Sequence, residues 1–341
     1  MERNFPLISV IVPCRNEEKF IDQCLESIIR QDYPREKLEV LVVDGMSNDK
    51  TREIVAQYAG EYPFIKLLDN FEIFTPFALN IGIKKSQGEI IVRMDAHAKY
   101  SQNYIAECVK NLQKYNADNV GGSLVVIASK NESLFSRAIA WALSSVFCAG
   151  DAYYKTIRSG SPRFVDTVFG GCYKRELFHR IGFFNEKLPR CQDIDFNMRL
   201  TSIGGKILLV PNIFVYYYPR ASLKNYFFRD LTSGEWIIYS SKFMRRPLKL
   251  RHYLPAICFF VAIGLLAAGF WKLIFWLVLV GLTTAYVFLS LFFSVRIAVN
   301  ERNWRFVFLM PLAFASRHLA YGIGSVLGMV KLIFNKKNEK F

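Results

Sequence analysis

Gly88-Glu-Ile-Ile-Val-Arg-Met-Asp95-Ala-His97-Ala98 is the stretch whose reading decides the fold. Ile90, Ile91 and Val92 are β-branched and apolar and follow a glycine turn signal, so they predict a short buried strand. The strand runs into Asp95 and, one alanine later, His97. Residues two apart in extended chain face the same side. In an open α/β sheet, ligands bind beyond the carboxyl ends of the strands. A carboxylate and an imidazole standing there together make half a shell for a divalent cation, and such a cation would neutralise a diphosphate. The bland alternative is a strand that ends in a polar turn.

The segments before it repeat the pattern. Leu7-Ile-Ser-Val-Ile-Val-Pro13 predicts a buried strand stopped by proline, followed by the polar loop Cys14-Arg-Asn-Glu17-Glu18. A helix over residues 20–31 follows, with Ile21, Cys24, Leu25 and Ile28 at helical spacing. Residues 38–44 predict a second strand that again ends in an acid, Asp44, before the turn-rich Gly45-Met-Ser-Asn-Asp49. A helix over 51–62, a strand over 64–69 and a helix over 76–85 complete the run. Strand and helix alternating at this spacing predict a parallel sheet with right-handed crossovers. Asp44 and Asp95 then both point at one crevice, a repetition the polar-turn reading does not explain. Beyond it come a helix over 102–115, a strand over 119–126, a helix over 132–146 and a strand over 164–171 closed by Gly170-Gly171. Gln192-Asp193-Ile-Asp195 opens a further helix, where acids suit the positive end of the dipole.

With 341 residues, 52% of them hydrophobic, the chain has room for one sizeable domain plus membrane segments. The net charge of +15 is unevenly placed: residues 206–251 hold nine Lys/Arg against two acids, Asp230 and Glu235. A basic segment just ahead of a long apolar run predicts attraction to anionic headgroups and a cytoplasmic orientation. Nucleic acid is the rival partner for a basic chain, but no nucleic-acid motif is present. Seven cysteines form no C-x-x-C pair, which predicts buried thiols in a reducing compartment. Residues 5–12 are too short for a signal peptide, contain Pro6 and lack a cleavage pattern, so the soluble part is expected in the cytoplasm.

Residues 223–239 interleave aromatic and basic side chains, which predicts a helix in the membrane interface. Residues 253–271 and 273–295 carry no charge and are separated by Lys272 alone, which predicts a tight hairpin crossing ~30 Å of hydrocarbon. Residues 306–330 are also apolar, but Pro311 and the pair Arg317-His318 interrupt them. That predicts a re-entrant or interfacial pair of half-helices, with a third span as the alternative. Arg296, Arg302 and Arg305 before it, and Lys331, Lys336, Lys337 and Lys340 after it, predict cytoplasmic ends on both sides.

As a set these motifs resemble the family 2 inverting glycosyltransferases with the GT-A fold. Val10-Ile-Val-Pro13-Cys-Arg15-Asn-Glu17 resembles the opening strand and loop that hold the nucleotide base. Val43-Asp44-Gly-Met-Ser-Asn-Asp-Lys-Thr51 is similar to the family's D-G-S-x-D-x-T segment, and Asp69-Asn70 with Ala78-Leu-Asn80-Ile-Gly82 resembles the stretch before the metal motif. Asp95-Ala-His97 is similar to the D-x-D position, with His in place of the second acid. Gly170-Gly171 and Gln192-Asp193 resemble the acceptor-side strand and the motif of the catalytic base. The Asp-x-His variant and the run Arg246-Pro-Leu-Lys-Leu-Arg-His252 are similar to membrane-anchored enzymes of bacterial exopolysaccharide assembly, of the succinoglycan type.

The resemblance implies an α/β GT-A catalytic domain over residues 1–215, interfacial helices over 216–252 and membrane segments over 253–341. It implies transfer of one sugar, with inversion, from a nucleotide-sugar (a UDP-sugar) to a polyprenyl-diphosphate-linked saccharide. The setting it implies is a multi-pass protein of the inner membrane. Pro13, Arg15, Glu17, Asp44, Asn80, Arg93 and Asp95 would contact the donor, and Asp95 with His97 would hold Mg²⁺ or Mn²⁺. Asp193 would be the base, a role the chemistry also asks for, since a carboxylate must take the acceptor's hydroxyl proton. Gln192 stands where the family usually has Glu, and Phe183-Phe184-Asn185-Glu186 where it has Gly-Phe-Asp-Glu. Ser233-Gly-Glu-Trp-Ile-Ile replaces the Q-x-x-R-W motif of processive synthases, so one sugar per encounter is expected. Two rival functions stand beside this one. A nucleotidyltransferase calls for a glycine-rich phosphate loop, which Cys14-Arg-Asn-Glu-Glu-Lys19 is not. A non-catalytic membrane scaffold with a decayed transferase domain draws on Gln192 and Asn185.

Overall fold

The computed structural model describes residues 5–127, 133–150, 152–219, 222–244, 247–248 and 250–334. The chain forms two compact units, Met1–Val125 with Ala152–Tyr218, and Val126–Asp151 with Pro219–Phe341. The stretch Val126–Asp151 thus leaves the block that the sequence drew as an uninterrupted 1–215. Packing explains the departure. The helix Leu134–Ser144 buries Ala138 and Ala142 in one cluster with Phe306, Met310, Ala313 and Phe314, and its Arg137 pairs with Glu301.

The first unit is built on one sheet. Its strands among the described residues are β1 (Ile8–Cys14), β2 (Leu38–Asp44), β3 (Ile65–Asp69), β4 (Ile90–Arg93), β5 (Ala98–Tyr100), β6 (Asn119–Val126), β7 (Arg163–Val165), β8 (Gly171–Lys174) and β9 (Ile207–Tyr217). They lie in the order β3-β2-β1-β4-β8-β6-β9-β5, with β7 on β9. β1 to β4 are parallel, as their alternation with the helices Ile21–Ile29, Thr51–Glu61 and Thr75–Lys85 requires. β8 runs antiparallel to β4 and starts the mixed half of the sheet. β1 and β2 are buried along nearly their whole length, which accounts for their predominantly apolar sequences, interrupted only by Ser9, Glu39 and the terminal Asp44.

Register then sets the site. Cys14 lies opposite Asp44, and Asp44 opposite Asp69, so three strands end level on one edge. The expected strand over 164–171 is two pieces, β7 ending at Val165 and β8 starting at Gly171. Gly170 and Gly171 hold φ of 65° and 129° between them, a left-handed path open to glycine, and a Cβ on Gly170 would stand 2.9 Å from the Arg93 carbonyl oxygen.

The second unit is helical. Leu250–Gly269, Leu273–Asn300 and Phe306–Phe334 are each long and apolar enough to cross a membrane. Phe306–Phe334 is one unbroken helix, so the pair of half-helices expected from Pro311 and Arg317 does not form. Pro311 falls within the first two turns, where its missing N–H removes one backbone bond near the helix start. Arg317 finds a carboxylate: its Nη1 lies 3.0 Å from both oxygens of Asp230, on the helix Leu223–Tyr239. The two helices meet backbone to backbone. A Cβ on Gly324 would strike the Leu231 carbonyl, and one on Gly234 the Tyr321 carbonyl. Lys331 closes the contact on Glu235. Arg246, Lys249, Lys336, Lys337 and Lys340, which carried part of the sequence argument, lie outside the described residues.

Gly324→Leu is expected to cost about 1–3 kcal/mol by overpacking and to lower the thermal midpoint of the detergent-solubilised protein. Gly264→Ala, at a position with open space around the Cβ, should leave the midpoint unmoved. Fluorescence-detected thermal unfolding of both variants checks this.

Candidate active site

Three loops gather above the level edge of the sheet. The loop after β1 and the loop after β2 are laced by short-range hydrogen bonds. Ser47 Oγ accepts from the Asn16 N–H at 2.8 Å, Thr51 Oγ1 from the Glu17 N–H at 2.8 Å, and Asn16 Oδ1 from the Asn48 N–H at 3.0 Å. Asp44 anchors this lacing from below. Its fully buried carboxylate accepts from the Ser47 N–H at 2.9 Å and from Arg52 Nη1 at 2.8 Å. Arg52 Nη2 reaches on to Asp69 at 2.8 Å, so one guanidinium ties the ends of β2 and β3. Pro13 is half-buried at the end of β1, Arg15 is exposed beyond it, and Glu17 is half-buried.

The third loop leaves β4. Arg93 Nε and Nη2 hold the two oxygens of Asp95 at 2.8 and 3.2 Å, a bidentate clasp. The Asp95 N–H donates to the Tyr100 hydroxyl at 2.6 Å. Burial opposes the charge on Asp95, but the Arg93 guanidinium and His97 outweigh it and hold the carboxyl below the usual range. His97 Nδ1 lies 3.2 Å from Glu17 Oε1, and its ring stands edge-on to Tyr217 at 5.3 Å. Burial works against the imidazolium, yet the Glu17 contact and the Asp95 charge move its titration upward.

Asp193 enters from the helix Gln192–Ser202. Cys191 precedes that helix in a left-handed conformation, φ 64°, and Asp193 Oδ1 accepts from the Ile194 N–H at 2.9 Å. Burial works against the charge on Arg93, which Asp95 and then Asp193 restore, so the guanidinium stands within electrostatic reach of both acids. The neighbouring Asp195 turns inward, 2.9 Å from Arg199 Nε, and Arg199 also binds the Phe183 carbonyl at 2.9 Å. Of the two acids in that first turn, Asp195 is buried on Arg199, while Asp193 is half-buried.

Asn80 has a different task from the donor contact expected of it. It is 3% exposed, its Nδ2 donates to the Phe184 carbonyl at 2.9 Å and to Glu186 at 2.8 Å, and its Oδ1 accepts from the Phe184 N–H at 3.0 Å. Both donors and the carbonyl are engaged, so Asn80 clamps the 184–186 segment in place. A polar residue on the buried side of the helix Thr75–Lys85 was the available signal, since such a group needs a partner. Arg52 and Tyr217 were not singled out by the sequence at all, because both act on residues remote in the chain.

The donor set fits one divalent cation in an open site. Asp95 retains lone pairs beyond those used by Arg93, and His97 retains Nε2. No cluster of three His, Cys, Asp or Glu occurs among the described residues. Mg²⁺-type sites commonly take one or two protein donors and complete their shell with substrate phosphates and water.

The family model described as glycosyl transferase family 2 matches residues 9–181. A dolichyl N-acetyl-α-D-glucosaminyl phosphate 3-β-D-2,3-diacetamido-2,3-dideoxy-β-D-glucuronosyltransferase of Methanococcus voltae is 28% identical, covering 95% of this chain and 97% of its own. The succinoglycan biosynthesis protein ExoA of Rhizobium meliloti is 27% identical over 92% of each chain. Among solved structures, a mannosyltransferase of Pyrobaculum calidifontis in complex with GDP-Man and Mn²⁺ superposes with a TM-score of 0.60 at 22% identity, covering 98% of this chain and 89% of that one. It shares the GT-A fold that the sheet order and the crevice describe. Motifs, fold and family model agree on residues 9–181, and the chain belongs to glycosyl transferase family 2.

Proposed function

We propose that this chain moves one sugar from a nucleotide-sugar, a UDP-sugar, to a saccharide carried on a polyprenyl diphosphate, with inversion at the anomeric carbon. One observation carries the reading: at the carboxyl edge of the sheet Arg93 clasps Asp95 through both of its oxygens, two residues before His97, whose Nδ1 meets Glu17. A donor diphosphate and an acceptor hydroxyl need one acid each, with different work for each.

Asp193 takes the acceptor's proton as the oxygen attacks, which suits a half-buried carboxylate fixed at a helix start. Arg93 keeps Asp95 ionised through its bidentate contact. Asp95 and His97 would hold the Mg²⁺ or Mn²⁺, which when bound supplies Lewis-acid stabilisation to the leaving diphosphate. The 14–20 and 45–51 loops, held in shape by Asp44, form the nucleoside end, with Pro13, Arg15 and Glu17 at its mouth. Single displacement between two carboxylate roles gives inversion. The name of the Methanococcus relative supports a lipid-linked acceptor, as do three helices long and apolar enough to span a membrane. The basic segment 206–251 supports a cytoplasmic catalytic unit on a multi-pass protein of the plasma membrane, serving surface or exopolysaccharide assembly.

Purified full-length protein, given a panel of nucleotide-sugars and a polyprenyl-linked acceptor, should consume one donor and extend the acceptor by one sugar. Consumption of none overturns the reading. Asp193→Asn should bind donor as before and lose transfer by about 10²–10⁴-fold, the contribution of a general base. Retention of more than about a tenth of the rate would remove Asp193 from that role.

Asp95→Ala should abolish the metal-stimulated reaction, and His97→Ala should weaken metal affinity by less, because the carboxylate is the harder ligand. Calorimetric metal binding in the presence of nucleoside diphosphate measures both. Full activity in EDTA is the result that ends the metal assignment.

A further inference from the structure

The helical unit holds a charge imbalance that its described residues do not resolve. Among the described residues, Glu235 is matched by Lys331 and Glu301 by Arg137, one cation to each acid. Asp230 has two. Arg317 Nη1 reaches both of its oxygens at 3.0 Å, and Arg229 binds Oδ1 through Nη2 at 3.0 Å and Nε at 3.3 Å. The three side chains are withdrawn from solvent, at 3% exposure for Asp230, 13% for Arg317 and 26% for Arg229. Their sum is one positive charge.

A single Arg–Asp pair would already neutralise Arg317 in the middle of its apolar helix. The second arginine overshoots, and an uncompensated charge among apolar side chains is costly. A second observation points the same way. Tyr226 is 1% exposed, its hydroxyl has no hydrogen-bond partner among the described residues, and Arg229 stacks over its ring at 5.2 Å. A buried hydroxyl left unmatched costs about 1–3 kcal/mol. Arg317 Nε and Nη2 and Arg229 Nη1 are further donors that no described residue accepts from. Donors of one sign, a buried hydroxyl beside one of them and a net positive charge are the groups from which phosphate sites are built.

The surroundings say what kind of phosphate. Phe228 and Leu319, next in the chain to Arg229 and near Arg317, present large exposed apolar side chains. The helix Phe306–Phe334 is itself long and apolar enough to cross a bilayer. An anion reaching this place has to bring an apolar body with it. We propose that Arg229, Arg317 and Tyr226 bind the phosphate head of a membrane-embedded lipid, the phosphorylated carrier on which the acceptor saccharide is built. Asp230 holds the two guanidiniums apart and in place, and the close glycine contacts at Gly234 and Gly324 fix the helices that carry them. This rests on the reading of the acceptor as lipid-linked, and the test keeps the two apart.

The experiment measures binding of farnesyl phosphate to the full-length protein in detergent, by thermal shift and by displacement. Farnesol, inorganic phosphate and phosphatidylglycerol are the comparison ligands. Farnesyl phosphate should bind saturably and at least tenfold more tightly than any of the three. Arg229→Gln leaves a neutral Arg317–Asp230 pair and should weaken farnesyl phosphate at least tenfold, with the ligand-free thermal midpoint unmoved. Arg229→Lys should retain most of the affinity. Equal binding by farnesol, by inorganic phosphate or by phosphatidylglycerol overturns the proposal in favour of an apolar groove, a free-anion site or a general headgroup site respectively. Unchanged binding in Arg229→Gln overturns it as well. Wild-type protein that binds farnesyl phosphate but consumes no nucleotide-sugar would sink the proposed reaction and leave this site standing.

Discussion

The first unit depends on one buried cation. Arg93 is the last residue of β4, and the register of the sheet puts it opposite Ile11 on one side and Gly171 on the other. From there its guanidinium clasps Asp95 and stands within electrostatic reach of Asp193. A carboxylate as buried as Asp95, without a cation beside it, would meet a heavy desolvation cost in a medium that screens poorly. It would then tend to take up a proton. Gly170 follows from the same arrangement, since a side chain there would crowd the Arg93 backbone.

Arg52 repeats the device at the nucleoside end, where it ties Asp44 to Asp69 across two strands. The helical unit uses it three times, with Arg137 on Glu301, Arg317 on Asp230 and Lys331 on Glu235. These pairs add little to stability by themselves once the loss of hydration is counted. Their effect is on specificity of assembly. Apolar helices can slide past one another at small cost, whereas a displaced helix would separate the buried Arg317 from Asp230 and part the other two pairs.

The parallel half of the sheet was legible because its signals are local. β1 to β4 are short, mostly apolar runs that end in Cys14, Asp44, Asp69 and Arg93, and each is followed by a turn or helix signal. Asp95, His97 and Asp193 could be named for the same reason, since each sits at a recognisable element boundary. What stayed hidden depends on separation along the chain. Nothing near Asn80 announces Phe184, and nothing near Arg317 announces Asp230, 87 residues earlier. Read alone, Arg317 looked like a reason to break a helix, and with its partner present it is a reason to dock one. The departure of Val126–Asp151 from the first unit was hidden likewise, because its apolar face has the same period whichever core receives it.

That departure has a consequence for how the protein is made. Synthesis proceeds from the amino end, and domains tend to fold as they emerge. Here the helix Leu134–Ser144 is finished about halfway through translation, while Phe306, Met310, Ala313 and Phe314, which cover it, come last. The nascent chain must carry an uncovered apolar helix, tethered to a nearly complete sheet, until the carboxyl-terminal helix arrives. Any shortened form that keeps the sheet and ends before Phe306 makes that exposure permanent. Solubility in such a form has to be restored by trimming Val126–Asp151 as well, and a stop codon late in the gene should read out as aggregation of the whole enzyme.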